Sequence, residues 1–137
     1  MTLRTLIENA ITALDDDENG DHTNIIAEAQ LKLHELLQAA EITSIKDDHL
    51  DSMYAGNDCL IINTTWFACG SANQGSYLLP LTILDAPDPL KAAKIHGLEL
   101  KAKFHTKAYD DAVRALNSHK EQLTKINNEL TKLKEQA

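Results

Sequence analysis

The residues best suited to hold something small lie between two apolar runs, from Cys69 through Gly70, Ser71, Ala72, Asn73, Gln74 and Gly75 to Ser76, flanked by Trp66 and Tyr77. Glycines let a backbone approach a ligand closely. Backbone N–H groups with Ser71, Asn73 and Gln74 would donate to a phosphate or carboxylate, and Trp66 and Tyr77 would form a stacking wall. That chemistry is non-covalent capture of a small, nucleotide-like molecule. The same residues also make an ordinary hairpin loop, because Gly, Asn and Ser are turn formers. Cys59 and Cys69 have no Cys or His partner at zinc spacing and no adjacent base, so both read as buried thiols. His105 and His119 fall two heptads apart on one helical seam. In a parallel pair of helices each would face its symmetry mate, and protonation below about pH 6.5 would loosen the pair. The plainer reading is a polar seam residue that fixes register. No GxSxG, HExxH, P-loop or GxGxxG is present, so the expected protein is not an enzyme and has no metal or cofactor.

A second candidate is the acidic turn Asp15-Asp16-Asp17-Glu18-Asn19-Gly20-Asp21. Asp15, Asp17 and Asn19 at alternate positions before Gly20 match the opening of a calcium loop between two helices. The match then fails: Ile26 stands where a bidentate glutamate belongs, and His22 where an apolar residue belongs. A solvated turn, with Asp21 or Thr23 capping the next helix, accounts for the same residues.

Both candidates depend on the elements that carry them. Leu3, Leu6, Ile7, Ala10, Ile11 and Leu14 recur at three and four, which predicts an amphipathic helix over 3–14. Ile25, Ile26, Ala29, Leu33, Leu36, Leu37 and Ala40 predict a second over about 24–40, antiparallel to the first. A strand is expected at 42–46, while 47–57 is ambiguous. Cys59 to Ala68 reads as the strongest strand, and Ser76 to Leu84 as its hairpin partner across the 70–75 loop. Pairing Phe67 with Leu78 would put Leu60, Ile62, Thr64, Trp66, Tyr77, Leu79, Leu81 and Ile83 on one face, apolar enough to pack on the helices. The opposite face, with Ile61, Asn63, Thr65, Phe67, Leu78, Pro80, Thr82 and Leu84, would be half polar, either half exposed or covered by another subunit. Pro80 cannot donate to a ladder and marks an edge.

Asp88-Pro89-Leu90 then opens a long helix, with a capping carboxylate and a proline where no N–H is missed. Ile95, Ala102, Tyr109, Leu116, Leu123 and Leu130 recur in sevens, interleaved with Leu98, His105, Ala112, His119, Ile126 and Leu133. This is a coiled-coil seam. At about 1.5 Å per residue the helix would run roughly 70 Å, more than one small domain covers. The apolar residues Tyr109, Leu116, Leu123, Ile126, Leu130 and Leu133 are therefore expected to join copies as a dimer or higher oligomer. The stretch from Ile95 to Tyr109 is weaker, and a bend there, folding the tail back, is the alternative.

The expected architecture is α+β: an α+β head over 1–88, with an antiparallel helix pair and a small antiparallel sheet centred on a hairpin, and a helical oligomerisation segment over 89–137. The 137 residues carry a formal charge of −8, unevenly spread. Residues 1–88 hold three basic against fifteen acidic side chains, and residues 89–137 hold ten against six. So acidic a head repels nucleic acid, which argues against direct DNA or RNA binding unless the tail does that work. The tail's lysines alternate with carboxylates, as on a solvated coil exterior. With no apolar leader or membrane-length run, a cytosolic protein with reduced thiols is expected.

The acidic head, the Trp66–Tyr77 hairpin and the Asp85-Ala86-Pro87-Asp88-Pro89-Leu90 entry to a charged coil make the chain similar in kind to small accessory proteins of phages and prophages, among them anti-CRISPR-like inhibitors of bacterial defence. That resemblance implies a non-catalytic inhibitor that docks on a host protein through its acidic surface, in the cytoplasm of the bacterial host. It carries over no functional residue. Two other readings remain: an oligomeric sponge for a nucleotide-like signal, held at Trp66, Ser71, Asn73, Gln74 and Tyr77, and a structural assembly protein whose coil joins partners.

Overall fold

Extended backbone at Thr2 gives way to helix because its hydroxyl accepts from the Thr5 N–H at 3.1 Å, starting α1 (Leu3–Asp15). In the computed structural model, which describes residues 1–16 and 22–136, α2 (Thr23–Ala39) follows, with β1 (His49–Ala55), β2 (Cys59–Ala68), β3 (Ser71–Pro80), the single turn α3 (Leu81–Leu84) and α4 (Pro89–Glu135). The sheet has the order β1-β2-β3, antiparallel throughout. The fold is α+β, with the two helices, the small sheet and the long C-terminal helix that the periodicities predict. The chain forms two units, Met1–Leu98 and Glu99–Ala137.

In the first unit the apolar stripes of α1 and α2 close on one face of the sheet. Ile7, Ala10, Leu33 and Leu37 meet Leu50, Met53, Leu60, Ile62 and Leu79 in one core, joined by Ala93 from the start of α4. Leu50 and Met53 are three apart, so a regular strand would turn them to opposite faces. A bulge between Leu50 and Ser52 supplies the extra residue, Asp51, and both point inward.

The strand expected at 42–46 does not form. Gln30 on α2 explains why: its amide donates to the carbonyl oxygens of Ile45 at 2.7 Å and Asp48 at 2.6 Å, doing for this segment what a neighbouring strand would do. Ile45 is anchored in the core without a ladder. The strand lies instead in the ambiguous stretch, at β1.

Helix α2 ends in a Schellman motif. The Ile42 N–H donates to Leu37 O at 2.9 Å and the Glu41 N–H to Gln38 O at 3.0 Å, with Glu41 at φ 55°. A side chain with a Cβ is disfavoured there, and glycine is not. Glu41→Gly is therefore expected to stabilise the protein by about 0.5–1 kcal/mol, read as a rise of a few degrees in melting temperature. An unchanged or lower melting temperature would refute it.

As the sequence predicts, the Asp88 carboxylate caps α4, accepting from the Lys91 N–H at 3.2 Å. The helix is unbroken through residues 97–108, where a bend was the alternative. Gly97 sits against the end of α2: a Cβ built on it would lie 2.7 Å from both the Cα and the carbonyl carbon of Ala40, and closer still to its oxygen. In the second unit every described residue from Glu99 to Gln136 is exposed.

Candidate interaction surfaces

The 69–76 loop is not a loop. Ala68 pairs with Ser71, so the hairpin turns on Cys69 and Gly70 alone, at φ 53° and 79°. Positive φ at both central residues is what a type I′ two-residue turn requires, and its twist matches that of the strands it joins. β3 therefore begins at Ser71 rather than Ser76, and Leu81–Leu84 form a helical turn rather than the strand's end. Phe67 faces Ala72, not Leu78, whose partner is Ile61. The slip from the expected register is an even number of residues, so the side chains up to Pro80 keep their predicted faces, while Leu81 to Leu84 leave the sheet.

The register divides the five candidate ligand residues unequally between the two faces. Trp66 and Asn73 are cross-strand partners, and Tyr77 lies on the same face. Gln74 pairs with Thr65 on the other face, and Ser71 sits exposed beside the turn. Trp66 and Tyr77 are half-buried and close over Gly75: a Cβ there would lie 2.8 Å from Trp66 Cζ3 and from Tyr77 Cζ. The rings cover the strand's glycine, as aromatic side chains do beside a gap in a sheet face. Cys69, expected to be buried, is exposed at the turn, and Cys59 is half-buried.

The sheet's outer face carries what the sequence left unassembled. The register aligns Tyr54, Ile61 and Leu78 in one cross-strand row, with Ser52, Asn63 and Ser76 in the next. Asn63 Nδ2 donates to Ser52 Oγ at 3.0 Å. Beyond them Thr65 and the His49 imidazole both bond the Asp51 carboxylate, the imidazole at 2.8 Å through Nδ1. A hydroxyl, a carboxylate and an imidazole thus meet, but both partners address the carboxylate. A nucleophilic arrangement needs the hydroxyl on the imidazole. The trio instead pins the bulge. Tyr54 was invisible as part of this face because that bulge breaks the period of two.

The hydroxyl of Thr65, with desolvation opposing it and His49 adding to it, holds the Asp51 carboxyl below the usual carboxylate range. A depressed pKa contributes stability above the unfolded value, lost as pH falls through the folded one. Thr65→Val is expected to raise the Asp51 pKa toward the ordinary value, followed by carboxyl-carbon NMR titration. No movement would mean that His49 alone sets it.

Elsewhere in the first unit, a cleft of about 310 Å³ opens among Leu3 and Leu6 of α1, Lys32 and Leu36 of α2, and Pro89 and Leu90. Of its charged groups, Lys32 lies 3.9 Å from Glu35, and Asp88 caps α4. Of the acidic turn, 17–21 lie outside the described residues, and the calcium-loop reading with them. No group of three metal-ligating side chains assembles among the described residues. No helix among them is long and apolar enough to cross a membrane.

On α4, Tyr109, Leu116 and Leu123 recur at seven and Leu123, Ile126, Leu130 and Leu133 at three and four along one side, each about half exposed or more. His105 and His119 lie on the same seam and are exposed. Single apolar residues on a surface are ordinary; six aligned on one side of a helix are not. No protein-family model matches the chain, and neither a curated protein nor a solved structure matches it.

Proposed function

We propose that the protein is a non-catalytic, self-assembling binding protein: α4 joins copies through its leucine seam, and the acidic head docks on a basic partner protein. The carrying observation is the exposed seam, with Leu116 and Leu123 each 59% accessible in the single chain. Such a stripe resides in water only at the cost of its apolar area, about 25 cal/mol per Å². Charge segregation supports the second half. A strongly negative head steers toward a positive surface and away from nucleic acid. Action in a bacterial cytoplasm, obstructing a host defence protein as phage-borne inhibitors do, is the setting that fits such a molecule. Trp66 and Tyr77 pack over Gly75 rather than line a loop, which leaves their ring faces less free for the nucleotide-like molecule of the sponge reading.

Native mass spectrometry of the full chain at micromolar concentration tests the reading. An oligomer without added small mass is expected. A monomer overturns the assembly, and an oligomer that sheds a small molecule on denaturation restores the sponge.

A further inference from the structure

The proposed function leaves open which part of the acidic head meets its partner. Helices α1 and α2 bury one face of the sheet, so the opposite face is the broad surface the head presents. On it Phe67 is 77% accessible, Leu78 55% and Tyr54 53%. Three large apolar groups within one small sheet exceed the scatter of single residues expected on any surface.

Their setting is specific. β2 and β3 outrun β1, whose pairing begins at His49 with Thr65. The hairpin therefore extends past the three-stranded region as a two-stranded arm from Trp66 to Asn73, with Phe67 on its outer side. The row Tyr54–Ile61–Leu78 lies further along the same face. Between Lys46 and Lys91 there is no lysine or arginine, while Asp51, bonded by His49 and Thr65, and Asp58 fall on either side of the row along the chain.

We infer that the outer face of the sheet, from Phe67 on the hairpin arm to the Tyr54–Ile61–Leu78 row, is the docking surface for a cationic amphipathic segment of a partner protein. This rests on the reading of the head as a protein-binding module. The apolar row and Phe67 receive the segment's apolar side chains, and Asp58, with the Asp51 carboxylate that His49 and Thr65 hold in place, attracts its lysines or arginines. Anchors of this kind, large and desolvated on binding, carry most of an interface's energy, while the charges set partner choice and on-rate. A second copy of this head would bring the same carboxylates against each other. An amphipathic helix with a basic flank matches both features at once.

The test uses the full chain and a synthetic helical peptide of leucines on one face and lysines on the other, with a leucine–glutamate peptide of the same pattern as control. Calorimetry is expected to show binding of the lysine peptide that weakens with salt, and no binding of the glutamate peptide. Amide shifts on the wild-type protein should map to Tyr54, Ile61, Phe67 and Leu78. The double variant Phe67→Ser, Leu78→Ser leaves the charge unchanged and should weaken binding by at least about tenfold. Equal binding by the variant, shifts confined to α1 and α2, equal binding of both peptides, or no binding at all would each overturn the assignment. So would concentration-dependent shifts of the same amides without peptide, in the Leu123→Asp, Leu130→Asp background, because a second copy would then cover the face. Loss of the oligomer with peptide binding intact counts against the coil alone; an oligomer that binds no peptide counts against the docking face alone.

Discussion

Replacing Leu123 and Leu130 together by aspartate is expected to turn the full chain from an oligomer into a monomer, with the head still folded. The two residues sit one heptad apart on the exposed seam of α4, 59% and 47% accessible in the single chain. Between two copies, four buried leucines at about 2 kcal/mol each amount to roughly 8 kcal/mol, the whole free energy of a micromolar association. Aspartates at those positions would also bring like charges into the seam. Sedimentation equilibrium gives the mass, and circular dichroism of the sheet and helix pair checks the head. Leu123→Ala and Leu130→Ala should give intermediate dissociation constants. An unchanged mass for the aspartate variant would place self-association elsewhere and end the coil reading.

The second large effect is expected at Gly97. In an exposed helix interior, glycine to alanine gains about 1 kcal/mol from propensity alone. Here the added Cβ would lie 2.7 Å from the Cα and carbonyl carbon of Ala40, inside any van der Waals separation, and what must give way is backbone. Overpacking of this kind costs about 1–3 kcal/mol, so Gly97→Ala should destabilise the protein despite its better propensity. Gly97→Leu should do so by several kcal/mol, a melting-temperature drop of roughly 10 °C or more for a unit of this size. Lys107→Ala, on the exposed part of the same helix, controls for helix content. A melting temperature for Gly97→Ala at or above wild type would show that the end of α2 moves aside.

The two substitutions separate the roles of one helix. Around Ala93 and Gly97 it belongs to the head's core, with Ala93 wholly buried. From Glu99 onward it presents only exposed side chains. Reading the whole helix as a seam from Ile95 therefore merged two functions: Gly97, a weak point in a coil, is a requirement of the head.

Local pattern by itself determined α1, α2, β2, the capped start of α4 and the leucine seam. In each, one stripe or alternation of apolar residues sets the element, and side-chain caps at Thr2 and Asp88 mark the starts of α1 and α4. It also determined which sheet face turns inward, because a period of two survives any even error in register. Tertiary structure decided the rest, wherever a backbone group finds a partner distant in sequence. Gln30 satisfies Ile45 and Asp48 and so removes a strand. The bulge at Asp51 lets Leu50 and Met53 share the core, placing Tyr54 outward. The Cys69-Gly70 turn lengthens the hairpin and puts Gln74 on the face opposite Trp66, Asn73 and Tyr77. Hydrogen bonds of this kind have no period, and the row of Tyr54, Ile61 and Leu78 exists only because three strands are aligned in space.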